Sequence, residues 1–260
     1  MAEVLVLDSK ERAAEVVADH IAGVVRTLPT AVLGVATGST PLPVYAALAA
    51  RAARGTDFSR ARAFALDEYV GLPAGHPESY RSVIEREVTQ ALGMDPSLVH
   101  VPDGSLDGVQ TAGERYERAI DEAGGIDIQL LGIGATGHLG FNEPGSSFAS
   151  LTRVKTLTER TRQDNARFFE ALEDVPMHCV TQGLGTILRA RHLILLAFGE
   201  SKAQAIAAAV EGPVSASMPG SAIQLHPHVT VVLDEAAAGA LEHRSYYRWS
   251  QEHKPAWQGI

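Results

Sequence analysis

Apolar residues recur along the chain in two rhythms. Seven short runs, at residues 4–7, 31–36, 63–66, 98–101, 126–133, 192–198 and 229–233, are almost continuously hydrophobic, as strands buried on both faces of a parallel sheet are. Between them, residues 10–26, 41–54, 79–92, 109–123, 181–190 and 202–210 repeat their apolar positions at helical spacing. Strands alternating with helices predict an α/β fold, a doubly wound, mostly parallel sheet with helices on both faces and right-handed crossovers. No linker or internal repeat interrupts the alternation, so residues 1–260 are expected to form one domain. The rhythm fails from Gly145 to about Leu157. With a short helix over 160–172, this region is expected to lie over the sheet as an insertion or lid, at about residues 157–177.

Composition narrows the function without naming it. A net charge of -9, with no Lys/Arg cluster, argues against a nucleic-acid surface. The lone Cys179 excludes an internal disulfide and a cysteine-based zinc site. His226 and His228, one residue apart, have no Cys or carboxylate beside them to complete a metal site, and read as loop and strand-entry residues; no metal is expected. Residues 1–10 lack the basic-then-apolar pattern of a signal peptide, and no apolar run approaches the roughly 18 residues that cross a bilayer. The expected setting is the cytoplasm, away from membranes.

Chemistry concentrates just past the strands. The segment GIGATGHLGFNEP, 132–144, follows an apolar run, where parallel sheets place their ligands. Gly132, Gly134 and Gly137 match G-x-G-x-x-G, but that fingerprint needs its third glycine to open a helix, and Asn142, Pro144, Gly145, Ser146 and Ser147 forbid one. The first strand–turn–helix offers only Asp8, Ser9 and Lys10, so no nicotinamide or flavin is expected. His138 and Glu143 remain as a pair able to orient or share a proton, or as parts of a structural loop. Gly38, Ser39 and Thr40 lead into a helix that Pro41 is placed to begin. They read either as a phosphate-binding turn or as a strand–helix turn with a Ser/Thr N-cap. Asp67 and Glu68 close the run 63–66, followed by what reads as a loop; one of them is either a general base or a turn cap. Arg167 and Lys202 could hold a phosphate near helix starts, or simply be solvated.

Four separated segments resemble the glucosamine-6-phosphate deaminase family: VATGSTP at the 35–41 turn, LDEYVGLPAGHPESY from Leu66, LLGIGATGHLGFNEPGSSFAS from Leu130 and TLTERTRQDNARFF from Thr156. The likeness continues in order through VEGPVSASMPGSAIQLHPHVTVVLDEAA from Val210, covering nearly the whole chain. It implies a modified Rossmann-like sheet with a lid, and conversion of glucosamine 6-phosphate and water into fructose 6-phosphate and ammonia. It makes Asp67 the base that moves a proton between C2 and C1, and His138 the group that opens the sugar ring, with Glu143 beside it. Gly38, Ser39 and Thr40, with Arg167 and Lys202, would hold the substrate phosphate. That chemistry requires no redox cofactor, metal or covalent nucleophile, so no cofactor is expected. Thr136 departs from the pattern, because many members carry Asp, and others Asn, two residues before the histidine. Thr cannot stabilise a protonated His138 by charge, so Glu143 is expected to take that role.

Regulated members of the family are hexamers activated by N-acetylglucosamine 6-phosphate, and others are unregulated monomers; the resemblance leaves this chain open between them. Ser146, Arg153 and Lys155 match activator-binding positions, and Tyr246 aligns with another. The rival functions are a galactosamine-6-phosphate deaminase, a 6-phosphogluconolactonase and a non-catalytic sugar-phosphate sensor. Lactonases lack the DEYVG and FNEPG pattern, and the chain has no helix-turn-helix extension of the kind a DNA-binding sensor carries.

Overall fold

Two sheets of opposite character organise the chain. The computed structural model describes residues 2–255 and 257–260; Met1 and Ala256, inside the domain expected over 1–260, lie outside the described residues. In order, the elements are β1 (Glu3–Leu7), α1 (Lys10–Thr27), β2 (Val32–Val35), α2 (Leu42–Ala52), β3 (Arg62–Ala65), β4 (Asp67–Tyr69), α3 (Tyr80–Ile84), β5 (Val99–His100), α4 (Val109–Glu122), β6 (Ile128–Gly132), β7 (Arg153–Thr156), α5 (Glu159–Asn165), β8 (His178–Thr181), α6 (Leu184–Ile187), β9 (His192–Ala197), α7 (Ala203–Val210), β10 (Val229–Asp234) and α8 (Arg244–Glu252).

Seven strands form a parallel sheet in the order β1-β10-β9-β6-β2-β3-β5, with helices and a buried apolar cluster on each face, as the sequence predicts. All six residues of β9 are buried, which is why its sequence shows no alternation. On one face α1 buries Val17, Ile21 and Val25, at about 1.5–3 kcal/mol each, and Ser9 caps its start by accepting from Arg12 N at 3.1 Å. Strand order reverses between β2 and β6, so their carboxyl ends open a crevice of the kind that binds ligands in doubly wound sheets.

The second sheet, β4-β8-β7, is antiparallel and corrects the sequence reading in two places. Tyr69, expected in a loop, lies in β4. Residues 181–190, expected as one helix, divide into the end of β8 and the four-residue α6. Thr181 is held in β8 by its pairing with Asp67 of β4 and Arg153 of β7, so the helix starts only after Gly183, the extended N-cap of α6, where an added Cβ would lie 2.0 Å from the Ser150 carbonyl oxygen. These strands are short, and β7 buries neither of its faces fully, so no hydrophobic rhythm announces them. Residues 79–92 also differ: α3 gives way to a π-helical stretch, Glu85–Gln90, in which Thr89 Oγ1 reaches back to Ile84 O at 3.3 Å.

Leu66 joins the two sheets, donating to Val35 O and accepting from Gln182 N. Between β7 and β8 the chain makes an excursion over residues 157–177. It holds α5 and 3₁₀ turns at Ala166–Phe168 and Leu172–Asp174. A Leu157 N to Met177 O bond of 2.9 Å closes its base, and Arg162 ties it internally through the carbonyls of Leu172 and Val175.

Candidate active site

Asp67 stands where the large sheet hands over to the small one, one residue beyond Leu66. It is only 5% exposed, and a methyl group on Gly140 would lie 3.3 Å from its Oδ2, so it faces the glycine loop that follows β6. Among the described residues no hydrogen bond reaches its carboxyl group. Burial first, and the negative charge of Glu68 second, push its pKa up to about 8. Glu68 behaves differently. Its Oε1 accepts from Tyr69 N at 2.7 Å and Tyr80 N at 2.9 Å, and its Oε2 accepts from Arg81 N at 2.8 Å, so it caps the start of α3. Burial still raises its pKa, against the pull of those three N–H groups. Of the two roles proposed for the Asp-Glu pair, the cap therefore falls to Glu68.

The glycine loop holds His138 against main chain. An added Cβ on Gly134 would lie 2.1 Å from His138 Nε2, so only glycine lets the ring settle there. The loop is closed by Gly134 N to His138 O and Gly137 N to Gly134 O, with Gly137 at φ +78°. Thr136 Oγ1 lies 2.9 Å from His138 Nδ1 and donates to Glu143 Oε2 at 3.1 Å. A carboxylate can only accept, so the threonine proton points at Glu143 and its lone pair faces the ring. This assigns the ring proton to Nδ1 and leaves the Nε2 lone pair free for a substrate. Glu143, 3.5 Å from Nδ1, also receives the hydroxyls of Thr158, at 3.3 Å, and Thr161. Burial alone would raise its pKa, but donors on His138, Thr161 and Thr136 hold it down to about 2. The uncharged Thr136 thus relays, through its hydroxyl, the carboxylate that it does not itself supply.

The cationic and backbone candidates gather at the same carboxyl ends. Gly38, Ser39 and Thr40 follow β2, with Gly38 at φ +85° and in open space. Pro41 occupies the N-cap of α2 rather than its first turn, and no side chain caps the helix, so its leading N–H groups stay unclaimed by any Ser/Thr cap. Lys202 leads into α7 and donates from Nζ to Ile133 O at 2.8 Å, at the foot of the glycine loop. Its pKa is lowered by burial and then by the charge of Arg167, which sits in the excursion with its guanidinium 4.7 Å from the Phe168 ring centre. Tyr69, Tyr80, Phe141 and Phe169 pack together beside Asp67, and Asn165 of the excursion donates to Tyr69 OH at 3.0 Å.

The sequence reading overlooked Thr158 and Thr161. Their T-x-x-T spacing signals a helix start, and Thr158 does cap α5 by accepting from Thr161 N at 3.1 Å; the contact with Glu143 has no local signal. Arg153 and Lys155 share one face of β7. Ser146 is buried with no hydrogen-bond partner for its hydroxyl among the described residues, and its N–H bonds Glu143 O. Tyr246 stands elsewhere, on α8. His226 precedes β10 and its ring meets Ala190 O at 2.7 Å, a structural contact.

The family described as glucosamine-6-phosphate isomerases/6-phosphogluconolactonase matches residues 8–232. Glucosamine-6-phosphate deaminase of Pseudarthrobacter chlorophenolicus is 58% identical over 258 residues, covering 99% of this chain and all of its own. That of Bifidobacterium longum is 55% identical over 270 residues, covering all of both chains. Among solved structures, a monomeric glucosamine-6-phosphate deaminase is 40% identical with a TM-score of 0.89, covering 92% of this chain and all of its own. A 6-phosphogluconolactonase from Trypanosoma cruzi, at 21% identity and a TM-score of 0.75 over 93% of this chain and 97% of its own, shares the fold.

Proposed function

Because the chain belongs to the glucosamine-6-phosphate isomerase/6-phosphogluconolactonase family, we propose that it works as a glucosamine-6-phosphate deaminase, converting glucosamine 6-phosphate and water into fructose 6-phosphate and ammonia. Full-length identity of 54–58% to deaminases, against about a fifth to the lactonases, favours this branch of the family. In this reading His138 opens the ring through Nε2 while Thr136 and Glu143 hold its tautomer. Asp67 then takes the proton from C2 and returns it to C1, leaving an imine at C2 that water hydrolyses to the ketone and ammonia. Ser39, Thr40 and the N-terminus of α2, with Arg167 and Lys202, hold the phosphate, and the 157–177 excursion serves as a lid over it.

The observation that carries the reading is Asp67, a buried carboxyl group that no hydrogen bond reaches among the described residues, set against the glycine loop at the crevice. Purified protein is expected to release ammonia and fructose 6-phosphate stoichiometrically from glucosamine 6-phosphate, and more slowly or not at all from the galacto epimer. Asp67→Asn should lower kcat by about a hundredfold to ten-thousandfold with the fold retained. Wild-type turnover in that variant refutes the assigned base, and tight sugar-phosphate binding without ammonia identifies a sensor.

A further inference from the structure

The partners of Glu143 come from two parts of the chain. Its Oε2 is met by Thr136, beside His138 in the glycine loop, and its Oε1 by Thr158 and Thr161 in the first turn of the excursion helix α5. Thr158 already satisfies that helix start as its N-cap, so capping does not require the Thr161 hydroxyl, which is turned inward. Both Thr161 and Glu143 are buried, at 5% and 6% exposure. Resting on the deaminase reading above, we infer that Thr161 is a positioning residue through which the docked excursion orients Glu143, and through it the Thr136–His138 pair.

One carboxylate oxygen is held by the loop and the other by the excursion, so the plane of Glu143 is fixed only while the two are in contact. Lifting the excursion withdraws both Oε1 donors, admits water and frees the carboxylate to rotate. His138 then loses the hydroxyl relay that keeps its proton on Nδ1. Ring opening is thereby coupled to closure over the sugar phosphate, whose cation Arg167 rides on the same excursion. The low pKa of Glu143, to which Thr161 contributes, agrees with this geometry.

Thr161→Val removes the hydroxyl at nearly constant volume, and Thr161→Ser keeps it. In the Val variant the Glu143 carboxyl midpoint, followed by carbon-13 NMR in the protein alone, is expected to move up toward the ordinary carboxylate range, and the Ser variant should restore it. The Val variant should lower kcat about tenfold or more, the scale of a hydrogen bond to a charged group, while KM changes less than about twofold. Against a Glu143→Gln background the same substitution should cost no further kcat. Effects that multiply independently in that background, or an unmoved Glu143 midpoint in a folded Val variant, overturn the inference. Failure of the wild-type protein to release ammonia instead removes the deaminase reading, and the catalytic half of this inference with it.

Discussion

Asp67 and Glu68 are neighbours of like chemistry, divided by the donors around them. Glu68 accepts from three main-chain N–H groups, whereas Asp67 accepts from none among the described residues and burial pushes its pKa up to about 8. A folded-state pKa raised above the unfolded value of about 3.9 means that ionising Asp67 costs stability. The cost sets in as pH rises past that value and is complete above about 8. Asp67→Asn is therefore expected to be inactive yet to melt higher than wild type at about pH 8, with little difference at about pH 4. The kcat/KM of the wild type should climb with pH to a midpoint near 8, as the base loses its proton. A flat profile from about pH 6 to about pH 9, or a less stable Asn variant at high pH, contradicts the assignment. Asp67, His138 and Glu143 were legible in the sequence because each follows an apolar strand at its carboxyl end. Thr161 was not, because its partner lies 18 positions away along a path that only the excursion's folding defines.

At the scale of elements, double burial made the parallel strands readable, and the small sheet was hidden for the opposite reason. β4 reads Asp-Glu-Tyr, and β7 sets Arg153 and Lys155 at half-buried positions, so neither carries an apolar signature; each pairs with β8, a contact between segments far apart in sequence for β4 and across the excursion for β7. Another element-level property sits at the opposite end of the large sheet. His192, at the start of β9, faces His20 Nε2 of α1 at 3.2 Å and Thr230 Oγ1 of β10 at 2.9 Å, and stacks on His228 at 3.7 Å. Burial, then the neighbouring His228, His20, His226 and Lys254, push its pKa down to about 3, and His20 and His228 are lowered as well. A histidine held neutral in the fold contributes stability that is lost as pH falls below its unfolded value of about 6.5 toward the folded one. Relative to wild type, the urea midpoint of His192→Gln should rise as pH falls from about 7 to about 5, because the stability that His192 contributes is lost over that range while the opposing contribution of Asp67 is common to both proteins. Equal slopes in the two proteins assign the acid sensitivity to other groups.

For the molecule as a whole, the fold and family could be read from sequence. Arg153 and Lys155 lie on β7 in the small sheet, while Tyr246 lies on α8, which packs against β1 at the edge of the large one. The family resemblance leaves two alternatives for this chain, an unregulated monomer and a hexamer activated by N-acetylglucosamine 6-phosphate. Sedimentation at several concentrations with and without that sugar separates them: an unchanging monomer with hyperbolic kinetics removes the hexamer, and a larger species with sigmoidal kinetics abolished by the sugar supports it. The same edge has a bearing on how the chain is made. Among the described residues β1 pairs only with β10, from Glu3 against Thr230 to Leu7 against Asp234, and its outer side is covered by Gln251 accepting from Val6 N at 3.1 Å and by the Lys254–Glu3 ion pair. β1 must therefore wait, unpaired, until the chain through Asp234 of β10 has been synthesised.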